Sequence, residues 1–277
     1  MSLTFLGDVC LDLNVVRGEA RREIGGGVYH GAVTASRLGA DVRVLTRAPE
    51  ADRPTFAAIG EAGAALEWLE SPACTSIQND YPTENPDDRV SRVISLAAPF
   101  TAGDLSGLAA DILHVNPLWM GMVPPELLPL LRPRCRLLCA DAQGFLWRVA
   151  PDGQAAHSPW PEAPRYLPLL DVLKVDAVEA RVLTGCRDHD GAAGVLRNLG
   201  VRTVLLTHRD GVLARDAQGS SEAPWVGWTL EGRTGRGDTC TAAFLVGLDR
   251  GLDRAEALTL AARVTSEKMG YRGAYRG

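Results

Sequence analysis

Thr234-Gly235-Arg236-Gly237-Asp238-Thr239-Cys240, running on through Thr241-Ala242-Ala243-Phe244-Leu245-Val246-Gly247-Leu248, is a glycine-rich turn that opens directly into an apolar helix. Glycine lets the backbone take dihedrals closed to other residues and lie close to a ligand. The first helical turn leaves N–H groups without intrahelical partners, and the helix dipole favours an anion there. A carboxylate in the middle of an anion site is out of place unless it serves another group. Asp238 suits a proton acceptor facing a hydroxyl. The backbone of Gly235, Arg236 and Gly237 is then left to stabilise charge on a transferring phosphoryl. An ordinary helix cap remains the other reading of the same residues, since Asp is a favoured cap. The tripeptide Arg-Gly-Asp is an adhesion signal only outside the cell, and nothing in the sequence points to secretion.

Working outward from this turn, short apolar runs alternate with amphipathic ones. Strands are expected at Leu3–Leu6, Val42–Thr46, Asp111–Val115, Arg136–Ala140, Val172–Val175 and Val201–Thr207. Helices are expected at Tyr29–Leu38, Thr55–Ala65, Pro124–Leu131, Ala177–Leu183 and Ala192–Leu199. Strand–helix alternation of this kind implies an α/β fold with a mostly parallel sheet covered on both faces. Two stretches break the pattern. Asn14–Glu23 is polar and charged, and Cys74–Ala97 is rich in Asn, Asp, Pro and Thr before it alternates through Arg89–Ile94. Together they read as a small β appendage at one end of the sheet. No internal repeat, low-complexity tract or linker divides the 277 residues, so a single domain is expected.

The composition, 46% hydrophobic and 23% charged, is globular. A formal net charge of −5 gives no support to a nucleic-acid footprint, which is normally basic. The six cysteines at 10, 74, 135, 139, 186 and 240 form no CxxC pair and read as buried, reduced thiols, in keeping with a cytoplasmic location. No signal-peptide pattern and no apolar run of about 20 residues is present.

The decisive turn resembles the C-terminal signature of the PfkB (ribokinase-like) carbohydrate kinases. Other segments match that family in order along the chain. Gly7-Asp8-x-x-x-Asp12 resembles its first strand end. Gly25-Gly26-Gly27-Val28-Tyr29-His30-Gly31-Ala32-Val33 resembles its first signature. Lys174-Val175-Asp176-x-x-Glu179-Ala180 resembles its Asn-x-x-Glu motif, and Leu205-Leu206-Thr207 with Gly211 its nucleotide-side strand and turn. Asp141-Ala142-Gln143-Gly144-Phe145-Leu146 is similar to a segment of smaller members, including inositol kinases.

The resemblance implies a ribokinase-like three-layer α/β/α fold whose small β lid comes from about residues 13–24 and 74–97. It implies an ATP- and Mg²⁺-dependent kinase that phosphorylates a hydroxyl of a sugar, sugar acid or cyclitol. Asp238 would be the base beside an anion hole of Gly235, Arg236 and Gly237. Asp12, Gly25, Gly26 and His30 would hold the substrate. Lys174, Thr207 and Gly211 would flank the nucleotide, and Asp176 with Glu179 would place Mg²⁺, Glu179 through water. A homodimer through the lid is a further implication. The chain departs from the family pattern in several places: Asp176 stands for the usual Asn, Arg236 for Ala and His30 for Asn, the Thr207–Gly211 turn is one residue shorter than the common form, and Trp147, followed by Arg148, stands where relatives often place Arg. A nucleoside kinase would instead use an aromatic shelf such as Trp119, Phe145 or Trp147. An inert ligand-binding relative would have no need of Asp238. The polar set Asp12, His30, Asn116 and Gln143 favours a polyhydroxylated acceptor.

Overall fold

The computed structural model describes residues 2–16, 18–81, 90–227 and 232–277. Its strands are β1 Ser2–Gly7, β2 Cys10–Val16, β3 Glu19–Gly25, β4 Asp41–Arg47, β5 Ala65–Leu69, β6 Thr75–Tyr81, β7 Val90–Ser95, β8 Ala110–Asn116, β9 Cys135–Asp141, β10 Trp147–Val149, β11 Ala155–His157, β12 Val172–Asp176, β13 Thr203–Thr207, β14 Gly211–Asp216 and β15 Gly219–Pro224. Its α-helices are α1 Gly27–Arg37, α2 Ala58–Glu61, α3 Leu128–Leu131, α4 Gln143–Leu146, α5 Ala163–Tyr166, α6 Ala177–Thr184, α7 His189–Asn198, α8 Arg236–Asp249 and α9 Arg254–Lys268.

Nine strands form one sheet in the order β15-β14-β13-β12-β9-β8-β1-β4-β5. The run from β13 to β5 is parallel throughout, and only β14 and β15 turn antiparallel. Successive strand residues point to opposite faces, so each strand feeds two cores. Leu3 and Phe5 join a cluster with α1, α8 and α9, whereas Leu6 joins the cluster of α3, α5, α6 and α7 on the other face. This is the expected three-layer α/β/α arrangement with a mostly parallel sheet. Six free cysteines are present among the described residues.

Two of the expected helices are shorter than their patterns suggest. Residues Glu50–Phe56 form a 3₁₀ helix containing Pro54, and only Ala58–Glu61 is α-helical. Likewise Pro125–Leu127 is 3₁₀ before α3 begins. Pro125 and Pro129 each remove an N–H donor, which limits a regular α-helical ladder there.

A second, four-stranded sheet has the order β3-β2-β6-β7, with β2 and β6 parallel and the outer pairs antiparallel. It is built from the two stretches read as an appendage, apart from residues 17 and 82–89, which lie outside the described residues. Only Asp8 and Val9 separate β2 from β1, so this sheet grows directly from the C-terminal edge of the large one. Asp8 fastens the junction. Its carboxylate accepts from Thr75 Oγ1 (2.8 Å) and from the Leu118 amide (3.0 Å). Burial pushes its pKa up to about 6 against both hydrogen bonds.

Candidate active site

The C-terminal ends of β1, β8, β9, β12 and β13 converge on the N-terminus of α8, as parallel α/β sheets commonly arrange their sites. A cavity of about 200 Å³ lies there. On one side it is lined by Asp12, Gly26, His30 and Asn79. On the other it is lined by Lys174, Asp176, Thr207 and the turn from Arg233 to Asp238. Of the residues expected from sequence, Gly25, Gly211 and Glu179 do not line it. Gly25 ends β3 beside the Asp12 carboxylate. Gly211 lets β14 pack on β15, since a Cβ there would overlap the Ala223 carbonyl.

The turn before α8 explains its glycines. Gly235 is the N-cap, in the left-handed conformation at φ 77°, and a Cβ there would overlap the His30 ring. Asp238 is therefore not the cap. It sits in the first turn of α8, and its Oδ1 accepts from Asn116 Nδ2 at 3.0 Å. The amide holds the carboxylate at the cavity wall and leaves its second oxygen for another partner. Gly26, at φ 98°, is the matching turn before α1, where a Cβ would crowd the backbone of Asp8–Cys10.

His30 is buried with both ring nitrogens unpartnered among the described residues. Burial, aided by the Lys268 ammonium, lowers its pKa to about 3, so the imidazole is neutral. Asp12 accepts the Cys10 thiol at 3.1 Å. On β6, Asn79 donates to Asn14 Oδ1 (3.1 Å) and accepts from Ser91 Oγ (2.7 Å), which fixes its amide orientation.

Lys174 is the fixed cation of the opposite wall. Its Nζ lies 3.1 Å from Asp141 and 3.8 Å from Glu179. Burial would lower its pKa, but Asp141, Glu179, Asp176 and Asp238 outweigh that and hold it raised. Burial pushes Asp141 up against the pull of Lys174. Burial and then Asp176 push Glu179 well above the carboxylate range. Asp176 and Glu179 form a capping box on α6: Asp176 Oδ1 accepts two amides at 2.8 Å, and Glu179 returns to the Asp176 N–H at 2.7 Å. The second Asp176 oxygen takes no hydrogen bond among the described residues, and Asp176 lines the cavity. It fits a hydrated hard cation such as Mg²⁺, whereas Glu179 is committed to Lys174 and the cap. Among the described residues no group of three or more His, Cys, Asp or Glu is arranged to hold a metal.

Three placements in the site have no clear signal in the sequence. Asn116 as the holder of Asp238 is signalled only by its place at a strand end. The Asp141–Lys174 pair joins residues 33 apart, and nothing in spacing announces it. Asn79 lies in a segment read as part of a small β lid, with no residue of it singled out.

Residues 138–277 match the model of the pfkB family carbohydrate kinases. Among solved structures, the chain is 41% identical to a pyrophosphate-dependent kinase of the ribokinase family complexed with a pyrophosphate analog and myo-inositol. That match covers 99% of this chain and 97% of the other, with a TM-score of 0.94. It is 40% identical to a pyrophosphate-dependent myo-inositol-1 kinase converted to a myo-inositol-3 kinase by replacing an Asn and a Ser with Leu, over 99% and 95% of the two chains, TM-score 0.93. Arabidopsis thaliana ribokinase complexed with ribose and ATP shares the fold at 19% identity, covering 98% and 93%, TM-score 0.78. No curated protein matches the sequence. With the fold, the glycine turn and these matches in agreement over the whole chain, the protein belongs to the pfkB family and is a carbohydrate kinase.

Proposed function

We propose that this kinase transfers a phosphoryl group from pyrophosphate to a hydroxyl of myo-inositol or a closely similar cyclitol. The observation that carries the reading is the size and charge of the cavity. At about 200 Å³ it falls below the roughly 300–1,000 Å³ of pockets for larger organic ligands, and Lys174, Arg233 and Arg236 border it. Three cations, facing the carboxylates of Asp12, Asp176 and Asp238 across so small a space, suit a compact polyanion that brings a cation with it. The similarity to two pyrophosphate-dependent kinases supports the same donor. This shifts the donor from the ATP expected of the family at large. ATP is the second reading, supported by Thr207 and Asp176 side by side at the ends of β13 and β12.

In the reaction, Asp12, His30 and Asn79 orient the acceptor's hydroxyl groups, and neutral His30 can accept or donate one hydrogen bond. The attacking hydroxyl gives its proton to Asp238, which Asn116 holds in place. Its oxygen bonds to the phosphorus as the bridging P–O bond breaks, releasing orthophosphate. The α8 N-terminal amides and Arg236 stabilise charge on the transferred group, and Lys174 the leaving phosphate. Mg²⁺, held through water at Asp176, would neutralise donor charge. The four-stranded sheet, with Asp12 and Asn79 on it, acts as the lid that excludes water as a rival acceptor.

The test is product formation from myo-inositol, ribose, sugar acids and nucleosides with pyrophosphate or ATP as donor, each with Mg²⁺. Phosphorylated inositol formed from pyrophosphate is the expected result. Turnover with ATP alone would move the reading to the second donor. Turnover only with a nucleoside or ribose would overturn the acceptor.

A further inference from the structure

The last residue of α9 is a lysine with no exposed surface. Lys268 Nζ donates to the carbonyl of Gly232 at 2.6 Å and to that of Thr234. Both carbonyls belong to the loop leading into α8. In a trans peptide the C=O and the following N–H point in opposite directions, and the chain has no cis bonds among the described residues. The Gly232 carbonyl shares its plane with the Arg233 N–H, and the Thr234 carbonyl with the Gly235 N–H. Arg233 and Gly235 both line the cavity. Drawing the two carbonyls onto a buried ammonium therefore turns these two amides the other way. Without that side chain, one buried and one part-buried acceptor would lose their donor, and the loop would have to rotate to recover one, while deprotonation would leave only weaker, uncharged hydrogen bonds to hold them.

From this geometry we infer that Lys268 is a positioning residue, an internal cation that sets the direction of the anion loop's N–H groups and hence the seat of the transferred phosphoryl. This rests on the phosphotransfer reading above. The groups facing the ammonium come from three elements: Asp238 on α8, Glu23 on β3 and His30 on α1. Burial lowers the Lys268 pKa to about 8, with Asp238 and Glu23 opposing only in part. The internal cation is lost on the alkaline side, at a pH where an exposed lysine keeps its charge. The linkage sign separates this from unfolding. The folded state binds fewer protons than the unfolded one between about 8 and 10.5, so this group's contribution to stability rises with pH while activity falls.

The experiment measures steady-state rates from pH 6 to 10 for wild type, Lys268→Met and Lys268→Arg, with pyrophosphate and with ATP, on myo-inositol. Wild-type kcat/KM for the donor is expected to fall above about pH 8. Lys268→Met should lose about 100-fold in donor kcat/KM, on the scale of a misdirected anion-hole donor, with the acceptor KM little changed and the alkaline limb gone. Lys268→Arg should recover part of the rate and push the limb beyond pH 10, because guanidinium keeps its proton. Rates for Lys268→Met within about twofold of wild type, or a limb near pH 8 that survives in either variant, would overturn the inference. If Lys268→Met does not fold, the limb of Lys268→Arg decides alone. If wild type phosphorylates no inositol with either donor, the substrate reading fails. Lys268 is then judged by calorimetric pyrophosphate binding, which the Met or Arg variant must respectively weaken by about tenfold or preserve.

Discussion

At the scale of single residues, the site depends on a carboxylate that is held rather than capping. If Asp238 is the proton acceptor, as proposed above, Asp238→Asn removes that acceptor but keeps the shape and the Asn116 contact. Its kcat is expected to fall by roughly 10²–10⁴ while donor affinity, measured by calorimetry, is retained. Asn116→Ala keeps the base but frees it to rotate. A drop of about tenfold in kcat, with acceptor KM little changed, is the expected outcome in the same assay, since misorientation costs less than losing the group. An Asn116→Ala enzyme with full kcat would show that the hydrogen bond at 3.0 Å does not set the productive orientation. Asp238 was legible in the sequence because glycines flank it. Asn116, 122 residues away, was not.

At the scale of elements, two junctions shape the cavity. The turn into α8 has Gly235 at φ 77° with the His30 ring against it. Gly235→Ala must pay backbone strain and displace that ring. A loss on the order of 1–3 kcal/mol in urea unfolding, together with weakened donor binding, is expected. The other junction is the small sheet. Asn79 is clamped between Asn14 and Ser91 and faces the acceptor side of the cavity. On the cyclitol reading proposed above, Asn79→Leu removes a polar contact on the acceptor side and is expected to raise the acceptor KM and alter which hydroxyl is presented. The 1- and 3-phosphates of myo-inositol are mirror images, so chiral chromatography of the product reads the second effect. An unchanged product with unchanged KM would remove Asn79 from acceptor recognition.

At the scale of the whole molecule, two buried histidines tie stability to pH. His30 and His114 are both lowered to about 3, chiefly by burial, and His114 lies edge-on to Phe5. The unfolded chain binds protons at these sites near pH 6.5 and the folded one does not, so their contribution is present above about 6.5 and is lost as pH falls toward 3. Asp8, raised to about 6, runs the other way: the fold gains from its protonation as pH falls from about 6 toward 4. Asp141 and Glu179, also raised by burial, act in the same direction as Asp8, so the histidine part is read by difference. Between pH 6.5 and 4, Tm of His114→Leu is expected to fall less, or rise more, than that of wild type in scanning calorimetry. Parallel Tm curves for the two proteins would remove His114 from the acid dependence.

The alternation of strands and helices is written in the residues alone, because hydrophobic periodicity is a local property that each element must satisfy to bury its face. The glycine turn is marked there as well, because only glycine tolerates the backbone the turn needs. Of the two expected helices that fall short, one is interrupted by Pro125 and Pro129, and the other stops before Gly63, at φ 102°, with β5 beginning at Ala65, local costs that the apolar pattern concealed. Only the tertiary structure decided which charges meet. Lys174 with Asp141, Asn116 with Asp238, and Lys268 with the carbonyls of Gly232 and Thr234 join strand ends and helix ends far apart in the chain. Such pairings arise from the order and register in which parallel strands stack. No residue type or spacing along one segment records that order.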